Sequence, residues 1–342
     1  RATTPASSRH AAQATCARGR TTSAGSRASS GATHGLARPL GGVEPRHRRS
    51  GRPIDQADDI LEVNHLRQPM RSTKRNISAL GPAGSALLLG LADTNRTLFR
   101  PADAQAVLGL SAHATHERLS YLAKHGWIQR LARGLYLIVP IEAGTKRTWN
   151  EDPALIASYL AVPSYLSFWS ALHFHSLTEQ VPRIVTVATR RPHAPVEVLG
   201  LRYLFTTLSQ RKFFGFEPTW IRHRQVPVAT PEKAILDSLD HPDQAGGVSE
   251  VAKALLALAP RIDEKLLLKN LVRMRQGAVA KRLGFLLEIL EIAPKLVPAV
   301  QKQITAGYSL LDSSRGQRGR YIRRWNLRLN VSAEDILNGM GT

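Results

Sequence analysis

Apolar and polar positions fall into regular periods only from Met70 onward in this chain. Gly81-Pro82 opens a predicted helix, "PAGSALLLGLAD", with proline at the first position, where a missing N–H costs nothing. Pro101 opens a second, "PADAQAVL", with Asp103 in its first turn and Gly109 just past its end. Gly109-Leu110-Ser111 reads as the three-residue turn of a helix-turn-helix. Ser111 is placed to cap a third helix, "AHATHERLSYLAKH", ending at Lys124-His125 beside Gly126. Its spacing puts Thr115, Leu119, Leu122 and Ala123 on a buried face and leaves His113, His116 and Ser120 outward. "WIQRLARGLYLIV" then predicts a hairpin, with strands at 127–131 and 135–139 around a tight Arg133-Gly134 turn. Three short helices and a hairpin predict a winged helix-turn-helix over residues 70–150.

Residues 151–342 carry a longer mixed pattern. "DPALIASYL" and "SYLSFWSALHFHSL" read as helices, and the β-branched and aromatic runs "RIVTVATR" and "LRYLFTTL" read as strands. "TPEKAILDSL" begins with a threonine cap, proline at the first position and glutamate in the first turn. "VSEVAKALLAL" and "AVAKRLGFLLEIL" are amphipathic helices; in the second, Leu283, Leu286, Leu287 and Leu290 recur at helical spacing. The closing "GRYIRRWNLRLN" alternates as a basic edge strand. Strands followed by a helical block make this second domain α+β, and the whole chain α+β behind its N-terminal winged helix-turn-helix.

The first 69 residues show no period of 2 or 3.6. Rich in Arg, Ser, Thr, Ala and Gly, they bury too little surface to offset the entropy of ordering and read as a disordered extension. The arginine-rich, acid-poor start is like that of a transit peptide, but no amphipathic stripe accompanies it. The chain opens on Arg and its first methionine is Met70, so residues 1–69 are expected to be absent from the native protein. The single cysteine, Cys16, excludes an intramolecular disulfide and a multi-cysteine zinc site, as in a protein of a reducing cytosol.

Charge turns this pattern towards a partner. The net charge is +21, and residues 70–150 alone carry 11 basic against 4 acidic side chains. Such a balance implies an acidic partner, nucleic acid before an anionic membrane surface; no run of eighteen apolar residues exists to span a membrane. Double-stranded DNA then assigns roles to the winged unit. Ser111, His113, His116, Arg118, Ser120 and Lys124 of the third helix are the candidate groove contacts, and Arg130 and Arg133 of the wing the candidate phosphate or minor-groove contacts. A winged helix serving as a protein-interaction module with solvated arginines is the alternative. A second basic surface is expected from Arg315, Arg318, Arg320, Arg323, Arg324 and Arg328, interleaved with Tyr321 and Trp325. It would contact DNA or an acidic protein, or else be a charged edge that resists strand pairing.

Catalytic readings fare poorly. His173 and His175 lie two apart, a spacing that does not share a helix face, and no further ligand follows at a metal-site distance. Glu232, Lys233 and Asp237 faintly resemble a nuclease core, yet helix-start rules already explain Thr230, Pro231 and Glu232. "GPAGSALLLG" lacks the preceding strand and the lysine of a phosphate loop. No nucleophile elbow is present. The chain reads as a non-enzyme without cofactor or metal.

Several stretches resemble one family. "RGLYLIVP" (133–140), "SYLSFWSALHFHSLTEQVP" (164–182), "VATPEKAILDSLDHPDQAGGVSEVAKAL" (228–255), "KRLGFLLEIL" (281–290) and "RRWNLRLN" (323–330) are similar, in order, to the AbiEi-type antitoxins, with Ser176 where that family's pattern has Gly. The resemblance implies a bacterial cytoplasmic protein of a type IV toxin–antitoxin system used in phage defence. Its N-terminal winged helix would bind operator repeats and repress its own operon. Its C-terminal domain, residues 151–342, would counter an AbiEii-type nucleotidyltransferase toxin. A winged-helix regulator with a ligand-sensing second domain and no toxin partner is the competing reading, and it requires a pocket with convergent polar groups.

Overall fold

In the computed structural model, residues 79–143 and 151–338 are described. The expected disordered extension over residues 1–69, the start at Met70 and Cys16 lie outside them. The protein is mixed α+β, and the winged unit holds the three helices and the hairpin that the pattern predicts, with one unexpected short strand between the first two helices. There, α1 (Gly81–Ala92), β1 (Leu98–Phe99), α2 (Pro101–Leu108), α3 (Ala112–Lys124), β2 (Ile128–Ala132) and β3 (Leu135–Ile138) succeed one another. The local signals act as expected. Asp103 accepts the Arg100 N–H at 2.8 Å, Gly109 ends α2 in the left-handed region, and the Ser111 hydroxyl accepts the Ala114 N–H at 3.3 Å. Thr115, Leu119 and Leu122 are buried and Ala123 is half-buried.

β1 and β2 flank β3, both antiparallel to it. Strand alternation gives this small sheet two apolar faces. Phe99 and Tyr136 stack at 5.7 Å and join Leu87, Leu91, Leu119, Leu122 and Trp127 in a core beneath the helices. Leu98, Leu135 and Leu137 belong instead to the core of the larger C-terminal region. That is why "LYLIV" is a continuous apolar run: both faces of the strand are covered.

Beyond residue 150 come α4 (Pro153–Leu160), β4 (Ser164–Leu166), α5 (Phe168–Phe174), β5 (Ile184–Thr189), β6 (Val196–Val198), β7 (Leu201–Thr207), β8 (Phe216–Ile221) and β9 (Arg224–Ala229). The strands form one mixed sheet in the order β6-β7-β5-β4-β9-β8. "SYLSFWSALHFHSL", expected to be one helix, divides into β4 and α5. Ser164–Leu166 is drawn into the middle of the sheet, pairing with β5 on one side and β9 on the other, and so takes strand geometry despite its helix-compatible pattern. β6, β8 and β9 were not expected from the sequence, being short or interrupted by Pro218 and Pro227.

The helical block comes next: α6 (Pro231–Asp240), α7 (Val248–Leu258), α8 (Glu264–Met274), α9 (Gly277–Ile289) and α10 (Val297–Gln301). α6 packs against α5, α7, α8 and α9, so every residue from Glu232 to Leu239 is buried, charged ones included. Arg282 of α9 donates to the Leu239 carbonyl at 2.5 Å and to the Leu310 carbonyl at 3.0 Å, satisfying an orphan acceptor at the end of α6. β10 (Ser309–Leu310), β11 (Arg320–Ile322) and β12 (Leu327–Leu329) form a second small sheet, ordered β10-β12-β11, before α11 (Ala333–Asn338). The single edge strand expected at 319–330 is therefore a hairpin. Its turn forms because Trp325 leaves the surface to fill the core against α9, where a Cβ on Gly284 would lie 2.0 Å from the indole ring. Only glycine allows that approach. Among the described residues, no helix is long and apolar enough to cross a membrane.

Candidate nucleic-acid interface

The third helix of the winged unit presents a polar face because its buried residues recur every three or four positions. His113, His116, Ser120 and Lys124 are exposed, as the spacing requires, and Lys124 lies in the last turn, where the helix dipole favours a cation. His113 approaches the Glu117 carboxylate at 3.4 Å across one turn. Glu117 thus puts an acidic acceptor among the candidate base contacts, suited to a cytosine amino group rather than to phosphate. Arg118 is only half-exposed, its guanidinium 5.6 Å from the Tyr121 ring centre. Ser111 works as the helix cap, its carbonyl also accepting the Thr115 hydroxyl at 2.8 Å. Tyr121, absent from the contacts expected on sequence grounds, is exposed on the same helix and stacks on His125 at 4.1 Å. Its helical spacing from Glu117 and Lys124 was the available signal.

α3 packs against β2, whose far end carries the arginines of the wing. The pairing Arg130↔Tyr136 then Ala132↔Leu135 leaves Leu131 as an extra residue, a bulge that bends the strand into its turn. Gly134 closes that turn at φ +69°, a conformation that glycine adopts without strain. Arg130 is exposed and donates to the Ala132 carbonyl at 3.4 Å; Arg133 is exposed, without an ion-pair partner among the described residues.

The second basic cluster is less uniform than its sequence. Arg315, Arg318, Arg320 and Arg323 are exposed, with Arg315 3.9 Å from Asp312. Arg324 pairs with Glu288 at 2.7 Å. Trp325, expected among the aromatics of this surface, is fully buried and donates to Glu288 at 2.6 Å.

Tyr159 ties the winged unit to the larger C-terminal region. Its hydroxyl donates to the Leu98 carbonyl at 2.9 Å, and its own carbonyl accepts from Arg100 at 2.5 Å. Arg224 donates to the same hydroxyl and stacks over the ring at 4.3 Å. Contacts of such sequence separation leave no local signal.

The residues with a faint likeness to a nuclease core lie in the interior. Lys233 pairs with Asp237 deep in α6, and Asp237 also accepts from Tyr165 at 2.9 Å and Ser167 at 2.8 Å. Burial pushes the Lys233 ammonium below its ordinary value and the Tyr165 phenol well above it. Glu232 accepts the Asp263 N–H at 3.2 Å. No cluster of three or more metal-ligating side chains occurs among the described residues.

His175 is bound to the Ala229 carbonyl at 2.7 Å. Burial lowers its pKa from 6.5, with Arg261 adding to the effect and the Ala229 bond, Glu232 and Glu217 opposing it. A histidine with a folded pKa below 6.5 leaves the unfolded chain holding more protons, so stability rises with pH up to about 6.5 and is lost as pH falls through the folded value. His175→Gln is therefore expected to flatten the acid side of the stability profile relative to the parent. Urea denaturation at a series of pH values checks this; parallel profiles would assign the acid loss to other groups.

The described residues are thus a mixed α+β fold that opens with a basic winged unit. Residues 87–139, from the middle of α1 to just past β3, match the family model described as "Transcriptional regulator, AbiEi antitoxin". Among solved structures, the chain is similar to the RV2827C protein of Mycobacterium tuberculosis, with a TM-score of 0.57 and 16% identity over 80% of this chain and 98% of that one. That likeness is one of fold. No curated protein matches the sequence.

Proposed function

We propose that the protein is a DNA-binding antitoxin that represses its own operon through the winged unit and counters a nucleotidyltransferase-like toxin through residues 151–342. The observation that carries the DNA-binding half is the exposed, unpaired Arg133 on a bulged wing beside a capped helix with polar residues outward. Arginine at such a tip supplies affinity and register through phosphate, while the helix discriminates bases. The antitoxin half rests on the family match over residues 87–139 and on the resemblance of the C-terminal stretches.

In the full chain, Arg133→Ala is expected to weaken binding to operator and scrambled duplexes equally and to reduce the salt slope by roughly one unit, as for one lost phosphate contact. His116→Ala is expected to narrow the gap between operator and mutated operator by roughly 1–3 kcal/mol. Salt titrations with both duplexes measure the two effects. An Arg133→Ala protein with the parent's affinity and slope would leave the wing a solvated surface.

One observation favours a second reading, a regulator that senses a ligand. A half-open cavity of about 560 Å³, within the usual range for small ligands, is lined by Leu88, Trp127, Leu155 and Tyr159 with Arg96 and Arg224 at its polar side. Arg96 already pairs with Asp103 at 2.5 Å and Arg224 with Tyr159. The cavity's cations are held by protein groups, which ranks this reading second.

A further inference from the structure

The small sheet β10-β12-β11 carries an aromatic pair that neither repression nor a charged edge explains. The register Leu310↔Arg328 and Tyr321↔Arg328, with strand alternation, puts Tyr308, Arg328 and Tyr321 on one face, opposite the buried Leu327 and Leu329. Tyr308 is 48% exposed and Tyr321 56% exposed, and their rings meet edge to face at 4.8 Å. The Arg328 guanidinium stacks 5.2 Å from the Tyr321 ring centre. Its Nε is buried without a hydrogen-bond acceptor, and no carboxylate pairs with it among the described residues. Arg318, Arg320 and Arg323 lie exposed on the same hairpin or just before it, also without ion pairs among the described residues.

A charged edge that resists strand pairing accounts for Arg320, which lies on the edge strand β11. It does not account for two half-exposed tyrosines stacked about an unpaired guanidinium on the open face. Solvating such rings is unfavourable, and a ligand with flat apolar faces and negative charge satisfies both features at once. Duplex DNA offers the charge but keeps its base faces stacked inside. Unpaired nucleotides offer both, and unpaired bases are the ordinary state of RNA loops and ends.

We infer that this sheet face is a binding platform for single-stranded RNA, with Tyr308 and Tyr321 stacking bases and the arginines following the phosphates. The platform is separate from the wing, so failure of the operator reading would leave it standing. The test is binding of a short fluorescein-labelled single-stranded RNA of mixed sequence to the full chain, over a salt series, beside the matching deoxy strand and the matching duplex. Tyr308→Ala and Tyr321→Ala are each expected to lower RNA affinity roughly five- to a hundredfold, with a loss that persists at high salt because stacking is not screened. Tyr321→Phe keeps the ring and is expected to retain parent affinity, which separates stacking from misfolding. Charge reversal at Arg323→Glu is expected to weaken RNA binding mainly at low salt. Duplex binding should be unchanged by the tyrosine variants and lowered by Arg133→Ala. Unchanged RNA affinity in both alanine variants would overturn the inference. So would an equal loss in Tyr321→Phe, a duplex loss in step with the RNA loss, or tighter binding of the deoxy strand.

Discussion

Residues 70–150 expressed alone are expected to lose most of their stability and to bind operator only weakly, although they contain the whole winged unit. Leu98, Leu135 and Leu137 are almost fully buried, and they pack into the core of the larger region rather than under their own helices. Exposing each costs roughly 1.5–3 kcal/mol, together about 5–9 kcal/mol, which rivals the whole stability of an ordinary domain. The fragment also loses the Tyr159 hydroxyl at the Leu98 carbonyl and the acceptor for Arg100. Thermal unfolding should show a broad, non-cooperative transition, and the fragment should give no protection from the proposed toxin. A cooperative, parent-like transition would show that the leucine face needs no cover. Full protection by the fragment would refute the division of labour between the two regions.

Asp237→Ala is expected to destabilise the full chain by about 3–5 kcal/mol, the usual cost of stranding a buried charge. Lys233 is fully buried, and among the described residues its one remaining hydrogen-bond partner once the carboxylate is gone is the Tyr165 hydroxyl at 3.1 Å. The Tyr165 and Ser167 hydroxyls lose their acceptor in the same step. Exchanging Lys233 for Met together with Asp237 for Asn removes both charges and keeps an acceptor for the hydroxyls. That double variant should recover most of the loss, since neutral replacement of a buried pair is often tolerated. Denaturant midpoints at a constant m-value measure both changes. A cost below about 1 kcal/mol for Asp237→Ala would mean that water reaches Lys233 and solvates it.

How well the sequence foretold an element depended on how local its signals were. α2 and α3 begin and end at their caps because Asp103, Gly109 and Ser111 act within a few residues of where they stand. α6 likewise arises from Thr230, Pro231 and Glu232. The outward positions of His113, His116, Ser120 and Arg133 were legible for the same reason, since helical period and a Gly-containing turn set them. β4 was not, because "SYL" has a helix-compatible pattern and becomes a strand only between β5 and β9. Trp325 was misplaced among surface arginines because its burial depends on Gly284, forty-one positions earlier.

By itself, then, the sequence determined the class of the fold, the winged unit's helices, hairpin and caps, and the basic character of its exposed face. These rest on propensity, period and charge, which are properties of neighbouring residues. Only the tertiary structure decided that the winged sheet is apolar on both sides and leans on the larger core. It alone decided that Lys233 and Asp237 are a buried interior pair, and that the closing basic run is a hairpin whose Tyr321 meets Tyr308 on the open face of the small sheet. Each of these depends on which distant residue arrives at a site and excludes water from it, and that arrangement exists only once the chain has packed.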